Sequence, residues 1–154
     1  MSADIAIELP MKDVIVELRL EFRTDKFKLS GPLSENINAG NQFYGEDLAI
    51  WLCETLPQWK LTYMDEDWGW LVCTRKDHSS DVERNMICVY AYPVDDQGAS
   101  DFGNWMLNIL TEYKTKWLGF VIRWKSGPCN PALTRDVIAA FEKLGVQDLK
   151  RTEE

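Results

Sequence analysis

Hydrophobic residues recur along the chain with two spacings, which predict strands in some segments and helices in others. Between residues 16 and 22, every second residue is apolar, and the residues between them are Glu17, Arg19 and Glu21. Such alternation is typical of a strand with one buried face. Alternating or continuous apolar character predicts five to six strands, at residues 14–22, 59–63, 68–73, 86–92 and 117–124, with an edge strand at 146–149.

Three other segments have the spacing of a helix, with apolar residues three and four positions apart. The first, residues 46–56, begins with two acidic residues, which suit the positive end of a helix dipole, and ends before Pro57. The second covers residues 102–113. The third lies between Asn130, a typical N-cap, and Gly145, a typical residue at a helix C-terminus.

These elements predict an α+β fold with a single domain over residues 1–154. We expect an antiparallel or mixed sheet of five to six strands with about three helices packed on it. Residues 5–9 would add a short extended segment, and Phe27 and Leu29 would continue a hairpin after the first strand. Residues 30–42 are rich in Ser, Gly, Pro and Asn and predict a loop.

The chain is acidic, and its charge limits the partners that we expect. There are 25 Asp and Glu residues against 17 Lys and Arg residues, a net charge of −8. This balance disfavours direct contact with nucleic acid or anionic membranes and favours a basic protein partner. The first residues show no secretory signal, and no apolar run approaches the ~20 residues of a spanning helix. We therefore expect a cytoplasmic protein without membrane contact.

Residues that commonly form catalytic or metal sites are scarce. His78, the only histidine, lies in a polar stretch with no recognisable nucleophile or orienting residue beside it. The four cysteines lack the spacing of a metal site and are expected to be reduced and buried. We predict that the chain is not an enzyme and needs no cofactor or metal.

The contiguous acids Asp65, Glu66 and Asp67 are the strongest candidates for carboxylate chemistry. Paired carboxylates beside aromatic rings occur in glycosidase clefts, and carboxylate oxygens bind divalent cations. Acids in a predicted hairpin turn, however, are more typical of a solvated or partner-facing surface. Replacing all three by serine is then expected to leave thermal stability nearly unchanged.

The chain has seven tryptophans, which we assign to two environments from their neighbours. Four fall on apolar faces and are expected in the core: Trp51, Trp70, Trp105 and Trp117. Three stand at strand ends beside charged or turn residues and are expected to be partly exposed: Trp59, Trp68 and Trp124.

Residues 43–72 contain two distinctive strings, Gly-Glu-Asp-Leu-Ala-Ile-Trp-Leu from Gly45 and Glu-Asp-Trp-Gly-Trp from Glu66. This segment resembles small bacterial α+β proteins with the pattern GEDxAxWL followed by EDWGW. The resemblance implies a compact α+β fold of bacterial origin, and it implies no particular activity.

A tryptophan surrounded by acids is typical of a protein-binding hot spot for a basic partner. The candidate partner-binding residues lie in predicted turns and loops: Asp65, Glu66, Asp67, Trp68, Asp95, Asp96 and Asp101. They predict a protein-binding inhibitor or immunity-type protein that neutralises a basic toxin or nuclease by occlusion.

Several alternatives remain open at this point. One is a phage-encoded inhibitor of a nucleic-acid-binding defence protein, and another is a carboxylate-dependent hydrolase that uses Glu66 or Asp67. A pocket rich in tryptophan and tyrosine would instead indicate a small-molecule-binding domain. The edge of the strand at residues 14–22 would permit a homodimer.

Overall fold

A computed structural model describes residues 16–74, 83–92 and 103–153, with only the backbone described for Tyr92 and Trp117. Within these segments, seven strands form one sheet and two α-helices accompany it. The strands are β1 (Glu17–Thr24), β2 (Leu61–Glu66), β3 (Gly69–Thr74), β4 (Glu83–Tyr92), β5 (Gly103–Trp117), β6 (Val121–Gly127) and β7 (Gln147–Glu153). The helices are α1 (Glu46–Thr55) and α2 (Pro131–Leu144).

The sheet is antiparallel throughout, with the strand order β2-β3-β4-β5-β1-β7. The 15-residue strand β5 is its longest member. Residues 103–110 of β5 pair with β1, and residues 111–117 pair with β6. On its other edge, β5 pairs with β4 as far as Tyr113. β6 therefore continues the line of β1, and the β5–β6 hairpin extends beyond β4.

Both helices pack on the same face of the sheet. On α1 the buried face includes Leu48 and Leu52, and on α2 it includes Val137 and Phe141. The ring of Phe141 lies 4.5 Å from that of Phe22 on β1, measured between centroids. The remaining strands contribute further buried side chains to this one core. Of the helices in the described segments, neither is long and apolar enough to cross a membrane.

The predicted α+β fold with an antiparallel sheet is confirmed, while the element counts differ. The described segments hold seven strands rather than five to six, and two α-helices rather than about three. α1 and α2 lie where the sequence predicts them, and the Asn130 side chain accepts hydrogen bonds from the first backbone N–H groups of α2, as expected of an N-cap. The predicted edge strand at 146–149 is the start of β7.

The helix predicted over residues 102–113 is wrong, because residues 103–117 form strand β5. β5 lies at the centre of the sheet and carries apolar side chains on both faces. Trp105, Leu107 and Ile109 point into the core, whereas Met106 and Leu110 lie on the opposite face. A strand that is apolar on both sides can match helical spacing by coincidence.

Three other sequence predictions also need correction. The strand at 14–22 has no free edge for a homodimer along β1, because β1 pairs with β5 on one side and with β7 on the other. The strand expected at 117–124 is interrupted by a turn at residues 118–120, because these residues link β5 to β6. Phe27 lies outside any strand, and its buried ring packs on Trp51 and Trp105 at centroid distances of 5.6 and 5.9 Å. Residues 5–9 and 93–100 lie outside the described segments.

The tryptophans divide largely as predicted. Trp70 and Trp105 are buried. Trp51 is only half-buried, at the contact between α1 and α2. The three predicted to be partly exposed are all half-buried: Trp59, Trp68 and Trp124. The side chain of Trp117 is not among those described.

Candidate functional site

One face of the sheet carries no helix among the described segments, and we call it the open face. Strand register aligns its side chains in three rows across the sheet. The row nearest the β2–β3 turn holds Glu66, Tyr90, Met106 and Glu21. The middle row holds Met64, Leu71, Cys88, Asn108 and Arg19. The third holds Thr62, Cys73, Met86, Leu110 and Glu17. All except the buried Cys73 are half-buried, so the face combines accessible apolar surface with carboxylates.

The β2–β3 hairpin closes with a two-residue turn, Asp67 and Trp68, because Glu66 pairs with Gly69. The acidic turn predicted at 65–67 is therefore wrong in its bounds, since Asp65 and Glu66 belong to strand β2. Alternate residues of a strand point to opposite faces. Glu66 consequently lies on the open face, and Asp65 lies on the other side of β2.

Trp68 packs on Tyr90 at the end of the open face. Their ring centroids are 5.3 Å apart, with an angle of 41° between the planes. Gly69 makes this packing possible, because a Cβ at this position would lie 2.6 Å from the backbone oxygen of Val89. The turn thus comes close enough to β4 for Trp68 to reach Tyr90. Tyr90 is a site residue that the sequence analysis did not identify.

Asn38 holds the turn in place from an irregular segment before α1. Its side-chain Nδ2 donates to the backbone oxygens of Glu66 and Gly69, at 2.9 and 2.7 Å. Its backbone N–H donates to Oδ2 of Asp65 at 2.8 Å. Asn38 is completely buried and has a φ of 55°, a conformation that asparagine tolerates better than most residues. The only signal for this role in the sequence is the asparagine-rich composition of residues 36–41.

The seven predicted contact residues do not form one cluster. Glu66 and Trp68 lie together on the open face, and Asp67 is exposed in the turn between them. Asp65 is exposed on the opposite side of β2 and accepts the hydrogen bond from Asn38. The other three predicted contacts, and the histidine, lie outside the described segments: Asp95, Asp96, Asp101 and His78.

Charges of both signs surround the centre of the open face. Glu17, Glu21 and Glu66 flank the middle row, which contains Arg19, and Lys150 of β7 pairs with Glu21 at the end of the first row. Within the described part of the chain, Arg19 Nε and its neighbour Asn108 Oδ1 are buried without a hydrogen-bond partner. Buried polar atoms are normally paired, so this donor and this acceptor are unusual features of the face.

Cys88 lies in the middle row of the open face and contacts Tyr90. Burial, reinforced by the carboxylates of Glu17 and Glu66, raises the pKa of the thiol to about 11. At neutral pH the thiol is therefore protonated. Because the thiolate is the reactive form, Cys88 is poorly suited to act as a nucleophile.

Residues 16–74, 83–92 and 103–153 as described contain no candidate metal cluster, and cavities occur at two places among them. No three His, Cys, Asp or Glu side chains there converge as metal ligands. A cavity of about 130 Å³ lies beside Trp70, lined also by Phe43 and Tyr44. A second cavity, of about 310 Å³, lies along β1 and β7 near Arg23 and Asp148. The cavity beside Trp70 is below the ~300 Å³ of typical ligand sites, whereas the second, which is also lined by Phe22 and Trp105, reaches that volume.

Comparison with known proteins gives no significant match to a family model, a curated protein or a solved structure. The resemblance of residues 43–72 to small bacterial proteins stays a prediction. Inference about function therefore depends on the residues and geometry of this chain.

Proposed function

We propose that this chain is a protein-binding inhibitor of the immunity type, which occludes a basic toxin or nuclease. The binding surface is the end of the open face formed by Trp68, Tyr90 and Glu66, together with Asp67. The observation that carries the proposal is the half-buried Trp68–Tyr90 pair with carboxylates beside it. Aromatic residues with a charged surround are the usual anchors of protein interfaces.

The charge of the surface indicates the chemistry of the partner. Asp67 is exposed beside Trp68, and Glu21 and Glu66 occupy the same row as Tyr90, with Lys150 paired to Glu21 at the far end of that row. A basic protein approaching this end is attracted by the local carboxylates and by the net charge of the whole chain, −8. Such complementarity chiefly accelerates association and excludes wrong partners.

The apolar centre of the open face provides the area that an occluding complex needs. Met64, Leu71, Met86 and Leu110 lie in its second and third rows, and methionine adapts easily to the shape of a partner.

Binding accounts for the site better than catalysis does. A glycosidase needs two carboxyl groups roughly 5–10 Å apart that face one cleft. Asp65 and Glu66 project to opposite sides of β2, and Asp65 is engaged by Asn38. The hydrolase alternative thus rests on Glu66 and Asp67 alone. A nucleic-acid-binding defence protein would be a different basic partner for the same surface, and identification of the partner distinguishes the two inhibitor hypotheses.

The test is affinity capture from the source organism and its competitors, with the full chain as bait at low and moderate salt. Wild type is compared with Trp68→Ala and Glu66→Lys. The matched controls are Tyr63→Ala, on the outer strand away from the open face, and Glu142→Lys, exposed on α2. We expect one basic protein to be retained at equal stoichiometry by wild type and both controls, and to be lost with the two site variants. Retention by all five proteins, or by none, would refute the proposal.

A further inference from the structure

The hairpin of β5 and β6 projects from the sheet with apolar side chains at its tip. We call residues 114–124 the arm, because they lie beyond Tyr113, the last residue of β5 that pairs with β4. Three large apolar side chains at its end are exposed: Leu118 at 65%, Phe120 at 76% and Ile122 at 53%. Exposed apolar groups clustered in this way commonly mark an interaction site.

The arm is cationic although the chain as a whole is acidic. The arm and the adjoining Lys125 contain four of the 17 Lys and Arg residues and none of the 25 Asp and Glu residues. The rest of the chain therefore carries 13 basic residues against the same 25 acidic residues. Lys114 and Lys116 lie on the open-face side of the hairpin, and Arg123 and Lys125 lie on the other side. Positive charge thus surrounds the arm behind its tip.

The base of the arm is held on both sides. On one side, the Tyr113 ring lies against Gly127, where a Cβ would come within 2.6 Å of the ring, and the Tyr113 hydroxyl donates to the backbone oxygen of Pro128. On the other side, Arg84 binds Glu112 at 2.6 Å and lies 4.5 Å above the Trp124 ring. These contacts fix the direction in which the arm projects.

We propose that the arm inserts its apolar tip into the headgroup region of an anionic lipid bilayer. At ~3.4 Å per strand residue, Leu118 lies about 17 Å beyond Tyr113. Lys116 then lies about 7 Å behind the tip and Lys114 about 14 Å behind it. Peripheral membrane segments bury their apolar groups roughly 5–10 Å deep, so insertion of Leu118 and Phe120 brings Lys116 to the level of the lipid phosphates.

The arrangement fits a bilayer better than a nucleic acid duplex. A bilayer receives an arm end-on and offers phosphates all around it, as cations on both sides of the hairpin require. A duplex can receive apolar tip residues only by unstacking a base step, which opposes binding. The uncharged polar residue nearest the tip, Thr115, already uses its hydroxyl to donate to the backbone oxygen of Arg123.

The acidity of the whole chain does not prevent this contact. The expectation of no membrane contact follows from the net charge of −8, whereas the arm has the opposite charge. At physiological salt, charges are screened over about 8 Å. With Lys116 at the level of the phosphates, the remaining ~10 Å of the arm keeps the acidic body a little more than one screening length from the charged lipid surface.

Vesicle flotation of the full chain tests the proposal, with phosphatidylcholine vesicles containing or lacking phosphatidylserine. We expect wild type to float with the anionic vesicles and to be released by salt. The variant Leu118→Ser/Phe120→Ser should lose binding at least roughly tenfold, because it removes the apolar tip. Lys116→Gln/Lys125→Gln should lose it by roughly tenfold as well.

Two control variants test whether binding depends on the arm itself or on exposed apolar side chains and cations anywhere in the chain. Tyr63→Ser removes another exposed apolar side chain, and Lys26→Gln/Lys143→Gln removes two exposed cations elsewhere. Both should bind vesicles as wild type does.

Failure of wild type to float, or equal binding by the tip variant, would overturn the proposal. So would tip-dependent binding to a 20-base-pair DNA duplex in place of vesicles. Because Trp68 and Glu66 lie outside the arm, this result is independent of the inhibitor hypothesis.

Discussion

The indole ring of Trp68 lies on the phenol ring of Tyr90, with 5.3 Å between their centroids. The contact joins the β2–β3 turn to the central part of the sheet, and it places the most prominent aromatic pair of the open face beside Glu66. Neither ring is fully buried. This pair is the anchor of the proposed interface. The residues around it determine whether the two rings are held in one position.

Asn38 should be the residue on which the shape of the turn depends most. Asn38→Ala leaves the backbone oxygens of Glu66 and Gly69 and the N–H of Phe43 without their side-chain partner. We expect a loss of about 2–4 kcal/mol in the free energy of unfolding, measured by urea denaturation. The control Asn41→Ala removes one exposed hydrogen bond, to Asp67, and should cost less than about 1 kcal/mol. Equal losses in the two variants would show that Asn38 has no special role.

The acids of the hairpin should differ in their effect on stability, contrary to the expectation from sequence. Asp65 accepts the backbone N–H of Asn38 at 2.8 Å, whereas Asp67 is exposed in the turn. Asp65→Ser should therefore lower the free energy of unfolding by about 1–2 kcal/mol. Asp67→Ser should change it by less than about 0.5 kcal/mol. If both changes are neutral in thermal melts, the Asp65 contact contributes nothing to the fold.

The stability of the chain should depend on pH through Asp136. The indole N–H of Trp59 donates to Oδ2 of Asp136 at 2.9 Å, and this bond lowers the pKa of the carboxyl group in the folded chain. A lowered pKa adds stability above the unfolded value of ~3.9, and that stability is lost as the pH falls through the folded value.

Trp59→Phe keeps an aromatic ring and removes the donor. We expect the melting temperature of wild type to exceed that of this variant near pH 7, and the difference to shrink as the pH falls below about 4. In an Asp136→Asn background, the difference should no longer vary with pH over the same range. A difference that is constant down to the most acidic pH would exclude this hydrogen bond as the cause.

Cys88 should react slowly with alkylating reagents at neutral pH. Its pKa of about 11 implies roughly three-hundredfold less thiolate than an ordinary cysteine of pKa ~8.5. We expect iodoacetamide modification at pH 7.5, followed residue by residue with mass spectrometry, to be at least tenfold slower at Cys88 than in glutathione. Rapid modification would show that Cys88 is a reactive thiol on the open face, and this result would favour an enzyme.

Local signals in the sequence were sufficient for several elements. Pro57, Asn130 and Gly145 lie close to the ends of the two helices, because capping and chain termination depend on neighbouring residues alone. The β2–β3 hairpin was predicted for the same reason, and it brings Glu66 and Trp68 together as expected. Its bounds shifted because the acids Asp65 and Glu66 continue the strand.

Other features depend on contacts that are distant in sequence. Asn38 bonds to residues 27–31 positions away, so nothing near it in the sequence indicates its role. The sequence of β5 matches helical spacing because its position at the centre of the sheet makes both of its faces apolar. The exposed tip, with Phe120 and Ile122, is apolar as well, and its sequence is therefore also typical of a buried strand. Composition cannot distinguish an apolar segment that is covered from one that projects from the fold.

Isothermal titration with the captured partner measures whether Trp68 anchors the complex. The basic protein that the wild-type chain retains is titrated into wild type, Trp68→Ala and the control Tyr63→Ala. We expect at least tenfold weaker binding for Trp68→Ala, about 1.4 kcal/mol or more, and binding within about twofold of wild type for Tyr63→Ala. Equal affinity of wild type and Trp68→Ala would contradict the claim that this end of the open face is the binding site.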